Sequence, residues 1–490
     1  MSLRSQALSG FRWTASVRLA SQLITWGITL AVIRLLTPAD YGLLAMATVF
    51  VSFLSMFSEL GLGAAVVQKA DVDEPLLRRV FGIILVIHFL LAALLVLAAP
   101  LIAGFYDEPR VVPVIRALSL QFVLAGFAVI PDAQLQRKME FRNRSLLDLC
   151  NAVLASLTTL TLALAGAGVW ALVVGSLISQ LGKTVGLNWL SPFSRWPDFS
   201  LTGMRSLLRF GGSFTAIQVF WMFLSQIDIL ICVKWLGNEI LGIYSVAMHL
   251  ASLPSQRLSG LVNQVAFPTF SRMQHDLHKV GENILMGTRV LSFFSFPVLW
   301  GMSSVAPEIV QVILGAKWVA STVPLQVLAL IIPLRMVANF VATAIQGVGR
   351  SDIVLRNVIW ASLLMPPAFI IGVNAGGLLG LCLAWLVVSP LVFLQGMMRG
   401  LPVLQLRLVQ LTIAMLPAAV ASLGMYAVVT ATRHFLTGNQ ESVLHLLILL
   451  GVGGSSYSVL SWGINRHGTR EVLDLLRSIA SARRQLLTRA

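Results

Sequence analysis

The chain has 490 residues, of which 57% are hydrophobic and only 11% are charged, and its mean hydropathy is +0.85. Because a soluble domain carries about 25% charged residues, this composition excludes a water-soluble fold with a solvated surface. The net charge of +15 is compatible with a nucleic-acid partner. However, the cations recur between apolar segments instead of clustering on one polar domain. The sequence therefore predicts an all-α polytopic membrane protein, since a β-barrel would show short alternating segments.

Apolar runs long enough to cross a bilayer, which takes about 20 residues, recur along the whole chain. We predict about fourteen transmembrane helices, with the approximate spans 11–33, 42–67, 80–105, 113–133, 146–166, 168–189, 208–233, 240–266, 287–314, 322–346, 353–373, 376–397, 408–431 and 443–464. Only Gly166-Ala167-Gly168 interrupts the run 146–189. We predict two helices there, because one long helix would invert every later segment.

The charges between the apolar runs orient these helices. Alternate connections hold most of the cations: Lys69, Arg78 and Arg79; Arg137, Lys138, Arg142 and Arg144; Lys183, Arg195, Arg205 and Arg209; Arg272, Lys279 and Arg289; Arg350 and Arg356; Arg399 and Arg407. Because cytoplasmic loops carry an excess of Lys and Arg, we place both termini in the cytoplasm. The first run lacks a clear cleavage site and is predicted to be a retained helix.

Two stretches of the chain match each other 200 positions apart. Residues 34–47 align without gaps on residues 234–247, so that Gly42 corresponds to Gly242. Each copy is a short turn between two apolar runs, and the loop charges place both turns on the outer side. We therefore predict two pseudo-symmetric six-helix lobes that share their orientation, with a substrate handled between them.

The predicted organisation has five parts. Residues 1–190 form an N-lobe, 191–206 a cytoplasmic linker, 207–398 a C-lobe, 399–465 two further helices, and 466–490 a basic amphipathic cytoplasmic tail. The tail is predicted to lie on the anionic inner leaflet, and a frayed solvated helix is the alternative at similar odds.

One cation lies near the middle of the membrane. Arg335 follows Thr322 by 13 residues and precedes Arg350 by 15, which puts it about 20 Å from each end of its helix. A charge at this depth is costly, commonly about 2.5–3.5 kcal/mol on insertion scales. Pro333 and Asn339 lie nearby and favour a locally opened helix. We predict that Arg335 binds substrate, and the alternative is a structural pair with a neighbouring helix.

Four other ionisable residues are predicted at membrane depth. Arg18 and Arg257 lie in the inner half and join Arg335 as a predicted cationic cavity. Glu59 lies at a depth similar to that of Arg18, so an Arg18–Glu59 pair is as plausible as a substrate role. Asp228 lies in the outer third. With Glu59 it is a candidate for gating or cation coupling, although helix packing is the safer interpretation for Asp228.

The remaining reactive residue types predict no catalytic or metal site. His88 is better explained as a hydrogen-bonded core histidine than as a proton carrier. His275 and His278 lack other ligands nearby in sequence. The three cysteines, Cys150, Cys232 and Cys382, have no paired spacing. We expect no cofactor. A cavity lined by arginines suits an anionic substrate such as a phosphate or diphosphate, because the guanidinium group matches phosphate geometry and stays charged.

Several short segments, taken together and in order, resemble one protein family. They are residues 34–47, 59–68 and 136–142 in the first half, and Asp228, 241–244, 267–272 and 347–352 in the second half. On these segments the chain is similar to the WzxC-like polysaccharide or oligosaccharide flippases of the multidrug/oligosaccharidyl-lipid/polysaccharide exporter superfamily.

The resemblance implies a function as well as a fold. It implies two six-helix lobes plus two helices, and a substrate that is an oligosaccharide linked to a polyprenyl diphosphate. This substrate moves from the inner to the outer leaflet by alternating access during surface polysaccharide biosynthesis. Relatives use basic residues in the central cavity, a role carried over to Arg18, Arg257 and Arg335. A polysaccharide polymerase and glycosyltransferases are possible partners.

Two other functions compete with this interpretation. A cation-coupled drug or small-molecule antiporter of the same superfamily would depend on acids such as Glu59 or Asp228. A membrane-embedded glycosyltransferase or polymerase would need paired carboxylates on a substantial outer loop. The predicted outer loops are short, and their clear acids are Asp107, Glu108, Glu239, Glu308 and Glu441. The sequence therefore favours a transporter over an enzyme.

Overall fold

The computed structural model describes residues 25–59, 73–137, 141–200, 205–436 and 442–474. Within these ranges all regular elements are helices, which confirms the predicted all-α class. In the first half the helices are α1 (Thr25–Leu35), α2 (Pro38–Glu59), α3 (Glu74–Tyr106), α4 (Val111–Gly126), α5 (Val129–Arg137), α6 (Phe141–Leu164) and α7 (Val169–Leu190).

The second half begins with a long bent helix. The helices of the second half are α8 (Arg205–Arg272), α9 (Leu277–Ser304), α10 (Thr322–Gly347), α11 (Ser351–Gly400), α12 (Leu408–Phe435) and α13 (Val443–Ile464). A short helix, α14, follows over 466–474. A π-helical turn over Ile309–Leu314 and a 3₁₀ turn over Ala316–Ser321 join α9 to α10.

Glycines divide the longest helices. Gly237 has φ +83° within α8, and Gly377 has φ +55° within α11, so each of these helices consists of two arms. Such values favour glycine, because a side chain would meet the backbone. Gly166 and Gly168 likewise take positive φ between α6 and α7. This break confirms that the run 146–189 forms two helices.

The described helices agree with a many-spanning membrane protein. Ten are long and apolar enough to cross a bilayer, and the pair α4 and α5, bent by 42°, forms one more candidate span. The ten include α8 and α11 with their two arms each. In addition, α1 is the described part of the first predicted span. The set is compatible with about fourteen helices.

One predicted span was displaced along the chain. We expected a helix over 287–314 after a polar loop over 267–286, but α8 continues to Arg272 and α9 occupies Leu277–Ser304. The Asp276 side chain caps the start of α9 by accepting a hydrogen bond from the Lys279 backbone N–H at 3.2 Å. Pro307 follows the other end of α9 closely. The hydropathy of the sequence does not predict the first turns of α9, because these turns are polar.

The chain divides into two compact units, Met1–Ser245 and Val246–Ala490. The first arm of α8 therefore belongs to the first unit, whereas the predicted lobes 1–190 and 207–398 would assign it to the second lobe. A division by packing does not say which parts of the chain move together, so the predicted lobes stay a prediction.

A buried ion pair joins two helices of the second unit. Glu308, which the sequence suggested as an outer-loop acid, is 1% exposed. The Arg433 guanidinium, near the end of α12, donates to its two carboxylate oxygens at 2.6 and 2.9 Å. It also donates to the Ser304 carbonyl at the end of α9. Because α9 and α12 also pack against each other, this pair fixes their ends together.

Part of the predicted tail docks on this unit. Glu471 on α14 accepts a two-point hydrogen bond from Arg289 of α9, with Nε–Oε2 and Nη2–Oε1 distances of 2.8 and 2.6 Å. Val472 is buried. The start of the tail is therefore held by protein contacts, which neither prediction for the tail included. Residues 475–490 lie outside the described residues.

Replacing Glu308 with Gln tests the buried pair. Removing one charge from a buried ion pair costs about 3–5 kcal/mol, and we expect the lower end because Arg433 is partly exposed. The apparent Tm of the purified protein in detergent should fall clearly. Lys279→Ala, which breaks an exposed pair with Asp276, should leave the Tm unchanged. Equal Tm values for all three proteins would contradict a stabilising role for Glu308.

Candidate functional site

The first repeated turn separates α1 from α2 and is held by a capping box. Asp40 Oδ2 accepts hydrogen bonds from the Thr37 N–H at 2.9 Å and from the Thr37 hydroxyl at 2.6 Å. The Asp40 N–H in turn donates to Thr37 Oγ1 at 3.3 Å. Pro38 occupies the first helical position, where its missing N–H costs nothing. The four residues Thr-Pro-Ala-Asp therefore define where α2 begins.

The second repeated turn bends α8 at Gly237. Just before the bend, Lys234 Nζ donates to the Phe105 carbonyl at 2.8 Å and to Asp107 Oδ2 at 3.2 Å. The same ammonium lies 5.3 Å from the centroid of the Phe105 ring. Phe105 and Asp107 lie at the end of α3. A cation–π contact and two hydrogen bonds thus hold the second turn against that helix end.

The two turns pack against each other reciprocally. A Cβ atom on Gly242 would overlap the backbone of Pro38, and a Cβ atom on Gly42 would overlap the backbone and the side-chain oxygen of Asn238. Pro38 and Asn238 are themselves equivalent positions of the repeat, as are Gly42 and Gly242. The contact is therefore isologous, as in a two-fold dimer interface. Both glycines are needed because the starts of α2 and of the second α8 arm approach to backbone contact.

An exposed ion pair lies on the loop after α3. Arg110 Nε donates to Glu108 Oε1 at 2.8 Å, and Nη2 donates to Oε2 at the same distance. The Arg110 guanidinium lowers the pKa of the Glu108 carboxyl below its usual value. Glu108 is therefore ionised throughout the neutral range, and the loop carries charges of both signs beside Asp107.

Asp228 braces the two arms of α8. The Tyr244 hydroxyl donates to Asp228 Oδ2 at 2.5 Å, and both side chains are buried. The two residues lie on opposite sides of the bend at Gly237, so the bond closes a helical hairpin. This geometry favours the packing role that the sequence analysis considered safer for Asp228. In this conformation the carboxylate does not face solvent.

Arg335 lies in α10 beside a proline, as predicted, and contacts an aromatic ring. Its guanidinium carbon is 4.5 Å from the centroid of the Trp385 ring on the second arm of α11. Trp385 is buried and packs against Phe369 with ring centroids 5.0 Å apart. Arg335 itself is only partly buried. The aromatic face orients the guanidinium and offsets part of the cost of its charge.

The side chains of the other predicted site residues Arg18, Glu59 and Arg257 lie outside the part of the chain that the structure describes. Arg18 lies outside the described residues. Glu59 is the last residue of α2 and Arg257 lies in α8, but neither side chain is among those described. The Arg18–Glu59 pair and the cationic cavity therefore stay predictions. Within the described part of the chain, no group of three or more His, Cys, Asp or Glu side chains is arranged to hold a metal ion.

Three residues of these contacts were missed by sequence reasoning. Trp385 and Tyr244, the partners of Arg335 and Asp228, carry no sequence signal that pairs them across the fold. Asn238 could have been found, because it occupies the position of the repeat that corresponds to Pro38.

Gly242→Val tests the reciprocal contact. The new side chain overlaps the Pro38 backbone, so the two turns must separate or the chain must distort. We expect methanethiosulfonate reagents to label Asn238→Cys more rapidly in Gly242→Val protein than in protein that retains Gly242. Gly104→Val in α3, where a Cβ atom meets nothing within 4 Å, is the matched control. Unchanged labelling in both variants would contradict close packing of the turns.

Comparison with known proteins identifies relatives along nearly the whole chain. A family described as "Polysaccharide biosynthesis protein" matches residues 31–323, more than half of the chain. The teichuronic acid biosynthesis protein TuaB of Bacillus subtilis (strain 168) is 26% identical over 94% of this chain and 96% of its own length. The lipopolysaccharide biosynthesis protein WzxC of Escherichia coli (strain K12) is 26% identical over 79% and 80%, respectively.

A third relative and a solved structure extend the comparison. The succinoglycan biosynthesis transport protein ExoT of Rhizobium meliloti (strain 1021) is 26% identical over 91% of this chain and 90% of its own. The solved structure of the lipid II flippase MurJ in an inward closed conformation superposes with a TM-score of 0.75 at 14% identity. It covers 93% of this chain and 99% of MurJ, and so shows the fold. The family resemblance found in the sequence is confirmed: the chain belongs to the Polysacc_synt_3 family of polysaccharide biosynthesis proteins.

Proposed function

We propose that this protein is a flippase for a lipid-linked oligosaccharide, a repeat unit on a polyprenyl diphosphate anchor, in surface polysaccharide biosynthesis. The observation that carries the proposal is that a family of polysaccharide biosynthesis proteins and the fold of a lipid II flippase coincide on one chain. ExoT, which is similar over 91% of the chain, is named a transport protein. The protein moves its substrate and does not transform it, so it is a transporter and not an enzyme.

The repeated turns support an alternating-access mechanism. Two equivalent helix starts meet at the outer side, where each glycine faces the backbone of the partner turn. Such a contact can open and close without repacking a hydrophobic core. In the proposed cycle it closes the outer side while the head group enters from the cytoplasm, and it separates to release the head group outward. The polyprenyl tail stays in the lipid throughout.

The proposed substrate contact is Arg335. Its guanidinium is oriented by Trp385 and partly exposed, so a diphosphate can approach it. Arg18 and Arg257 are proposed to add positive charge to the same cavity. Asp228 and Glu59 are proposed to act in gating or coupling only if exchange of a cation drives the cycle.

We place the protein in a bacterial inner membrane, because its relatives TuaB, WzxC and ExoT are bacterial proteins. We place both termini in the cytoplasm, because the cations follow the positive-inside pattern along the whole chain. Its proposed partners are the glycosyltransferases that supply the lipid-linked unit and the polymerase that consumes it.

Deletion of the gene, with complementation by variants, tests the function. The deletion strain should lose surface polysaccharide and accumulate lipid-linked repeat units that face the cytoplasm. Arg335→Ala should fail to restore the polysaccharide, and Arg335→Lys should restore part of it. Arg350→Ala, which removes an exposed arginine paired with Asp352, should restore it fully. Unchanged polysaccharide in the deletion strain would overturn the flippase assignment.

The same complemented strains distinguish the proposed flippase from the competing cation-coupled antiporter. If Arg335→Ala complements normally while Asp228→Asn fails despite normal expression, the substrate role of Arg335 is wrong and cation-coupled antiport is favoured. Tyr244→Phe is the control for Asp228, because it breaks the same hydrogen bond and keeps the carboxylate. If Tyr244→Phe fails as Asp228→Asn does, the bond matters for structure and not for coupling.

A cross-link between the second turn and the end of α3 tests alternating access. Asp107→Cys and Lys234→Cys replace a pair joined at 3.2 Å on the outer side, in a Cys150→Ser background because Cys150 is the exposed native cysteine. A short reducible bis-methanethiosulfonate should stop polysaccharide export, and a reductant should restore it.

The control pair, Asp107→Cys with Arg110→Cys, is bridged within one loop and should stay active. If the Asp107–Lys234 bridge forms in full and export continues, the first arm of α8 moves with α3. The proposed lobes would then be divided at the wrong place.

A further inference from the structure

The segment that follows α7 is fixed to α3 by polar contacts. Residues 191–200, which we call the linker strap, run along the first turns of that helix. Arg78 Nε donates to the Trp196 carbonyl at 3.0 Å, and the Asp198 N–H donates to the Arg78 carbonyl at 3.0 Å. Two ion pairs, Arg79–Asp198 at 3.5 Å and Arg195–Glu74 at 3.1 Å, flank these bonds.

Packing adds to these polar contacts. Phe193 lies edge-on to Phe81 of α3, with ring centroids 5.6 Å apart. A Cβ atom on Gly82 would overlap the Asp198 carbonyl, so Gly82 lets the strap lie directly against the helix. The strap is therefore a fixed part of the first unit and not a free tether.

The strap and the end of α7 expose large aromatic side chains. Trp189 is 84% exposed, Trp196 is 85% exposed and Phe199 is 61% exposed. The backbone at Trp196 is held by Arg78, so the exposure of its indole is set by the fold. If these three rings faced water, their exposed apolar surface would be unfavourable, and within the described part of the chain no other residue covers it.

The position of the strap along α3 identifies what covers these rings. The 33 residues of α3 make a helix of about 50 Å, whereas the hydrocarbon core is about 30 Å thick. About a dozen residues of α3 therefore extend beyond the core, shared between its two ends. The strap contacts residues 74–82, on the side where the cations predict the cytoplasm. This level is the interface between head groups and acyl chains, where Trp side chains concentrate.

We propose that the linker strap is a membrane-surface element whose aromatic side chains insert between the phospholipid head groups of the inner leaflet. Arg195, beside Trp196, pairs with Glu74 but keeps 62% of its side chain exposed, and in this proposal it gives the strap its preference for anionic phospholipids. The proposal rests on the predicted orientation of the chain and does not depend on which substrate is moved.

Spin labels on the full-length protein in nanodiscs test the position of the strap. The label sites are Trp196→Cys and Trp189→Cys, each in the Cys150→Ser background. The references are Leu90→Cys, which is 63% exposed in the middle of α3, and Asp107→Cys, whose side chain is 82% exposed on the loop after α3. Accessibility to oxygen reports lipid, and accessibility to a water-soluble nickel chelate reports water.

We expect both labels, one on the strap and one at the end of α7, to fall between the two references, with more oxygen and less nickel accessibility than the Asp107 site. Nickel accessibility equal to that of the Asp107 site would overturn the proposal, because the rings would then face water. Low accessibility to both reagents would also overturn it, because protein would then cover the strap.

Brominated lipids test the charge preference separately. Trp196→Phe protein is compared with the unsubstituted protein, and the difference in fluorescence isolates the Trp196 indole. We expect brominated phosphatidylglycerol to quench this indole more than brominated phosphatidylcholine at low salt, with the difference lost at about 1 M salt, where the Debye length is about 3 Å. Equal quenching by the two lipids at low salt would overturn the preference for anionic lipid.

Discussion

The close approach of two equivalent helix starts is the constraint on which the packing of the two repeated turns depends. Helix α2 and the second arm of α8 meet where each has a glycine, and each glycine faces the backbone of the partner turn. Two helix N-termini are both positive poles, so bringing them together is unfavourable unless negative groups lie nearby. Asp40 supplies one such group in the first turn of α2, and Glu239 occupies the first turn of the second α8 arm. Lys234 ties the second turn to the end of α3. The contact is thus held by backbone shape and by charges at its edge.

The internal repeat gives this contact its symmetry. Because residues 34–47 and 234–247 align without gaps, equivalent positions of the two turns can pair isologously. A mutation at one glycine therefore affects the same kind of contact as a mutation at the other. The two turns nevertheless begin their helices differently. Thr37 and Pro38 cap the first by side-chain chemistry, whereas Gly237 bends the second through its positive φ. The two turns thus differ in how each helix begins and share the glycine where the backbones touch.

The sequence predicted the features that are local and missed those that are tertiary. The breaks at Gly166, Gly237 and Gly377 could be inferred because positive φ and the end of an apolar run are properties of a few neighbouring residues. The two turns could be located because the repeat is visible in the residues themselves.

The start of α9 was missed because its first turns are polar and its Asp276 cap lies in a stretch whose hydropathy predicts a loop. The sequence predicts Glu308 as a loop acid. Its burial could not be predicted, because its partner Arg433 lies 125 residues further along the chain. The partners of Arg335 and Asp228 were beyond sequence reasoning for the same reason: nothing along one chain specifies which rings will face which charges.

The hairpin of α8 limits how the contact between the two repeated turns could open. The Asp228–Tyr244 hydrogen bond joins its two arms below the bend at Gly237, and a buried bond of this kind resists separation because either group would be left unsatisfied. The hairpin should therefore move as one piece. A motion that draws the second arm away from Pro38 must then also carry Lys234 away from Asp107 and the Phe105 carbonyl.

The linker strap, in contrast, is bound to α3 and stays with it. Separation of the turns thus divides the structure between α3 with its strap and the α8 hairpin. The predicted lobes imply the same division, and they stay a prediction, because in this conformation the first arm of α8 belongs to the first compact unit.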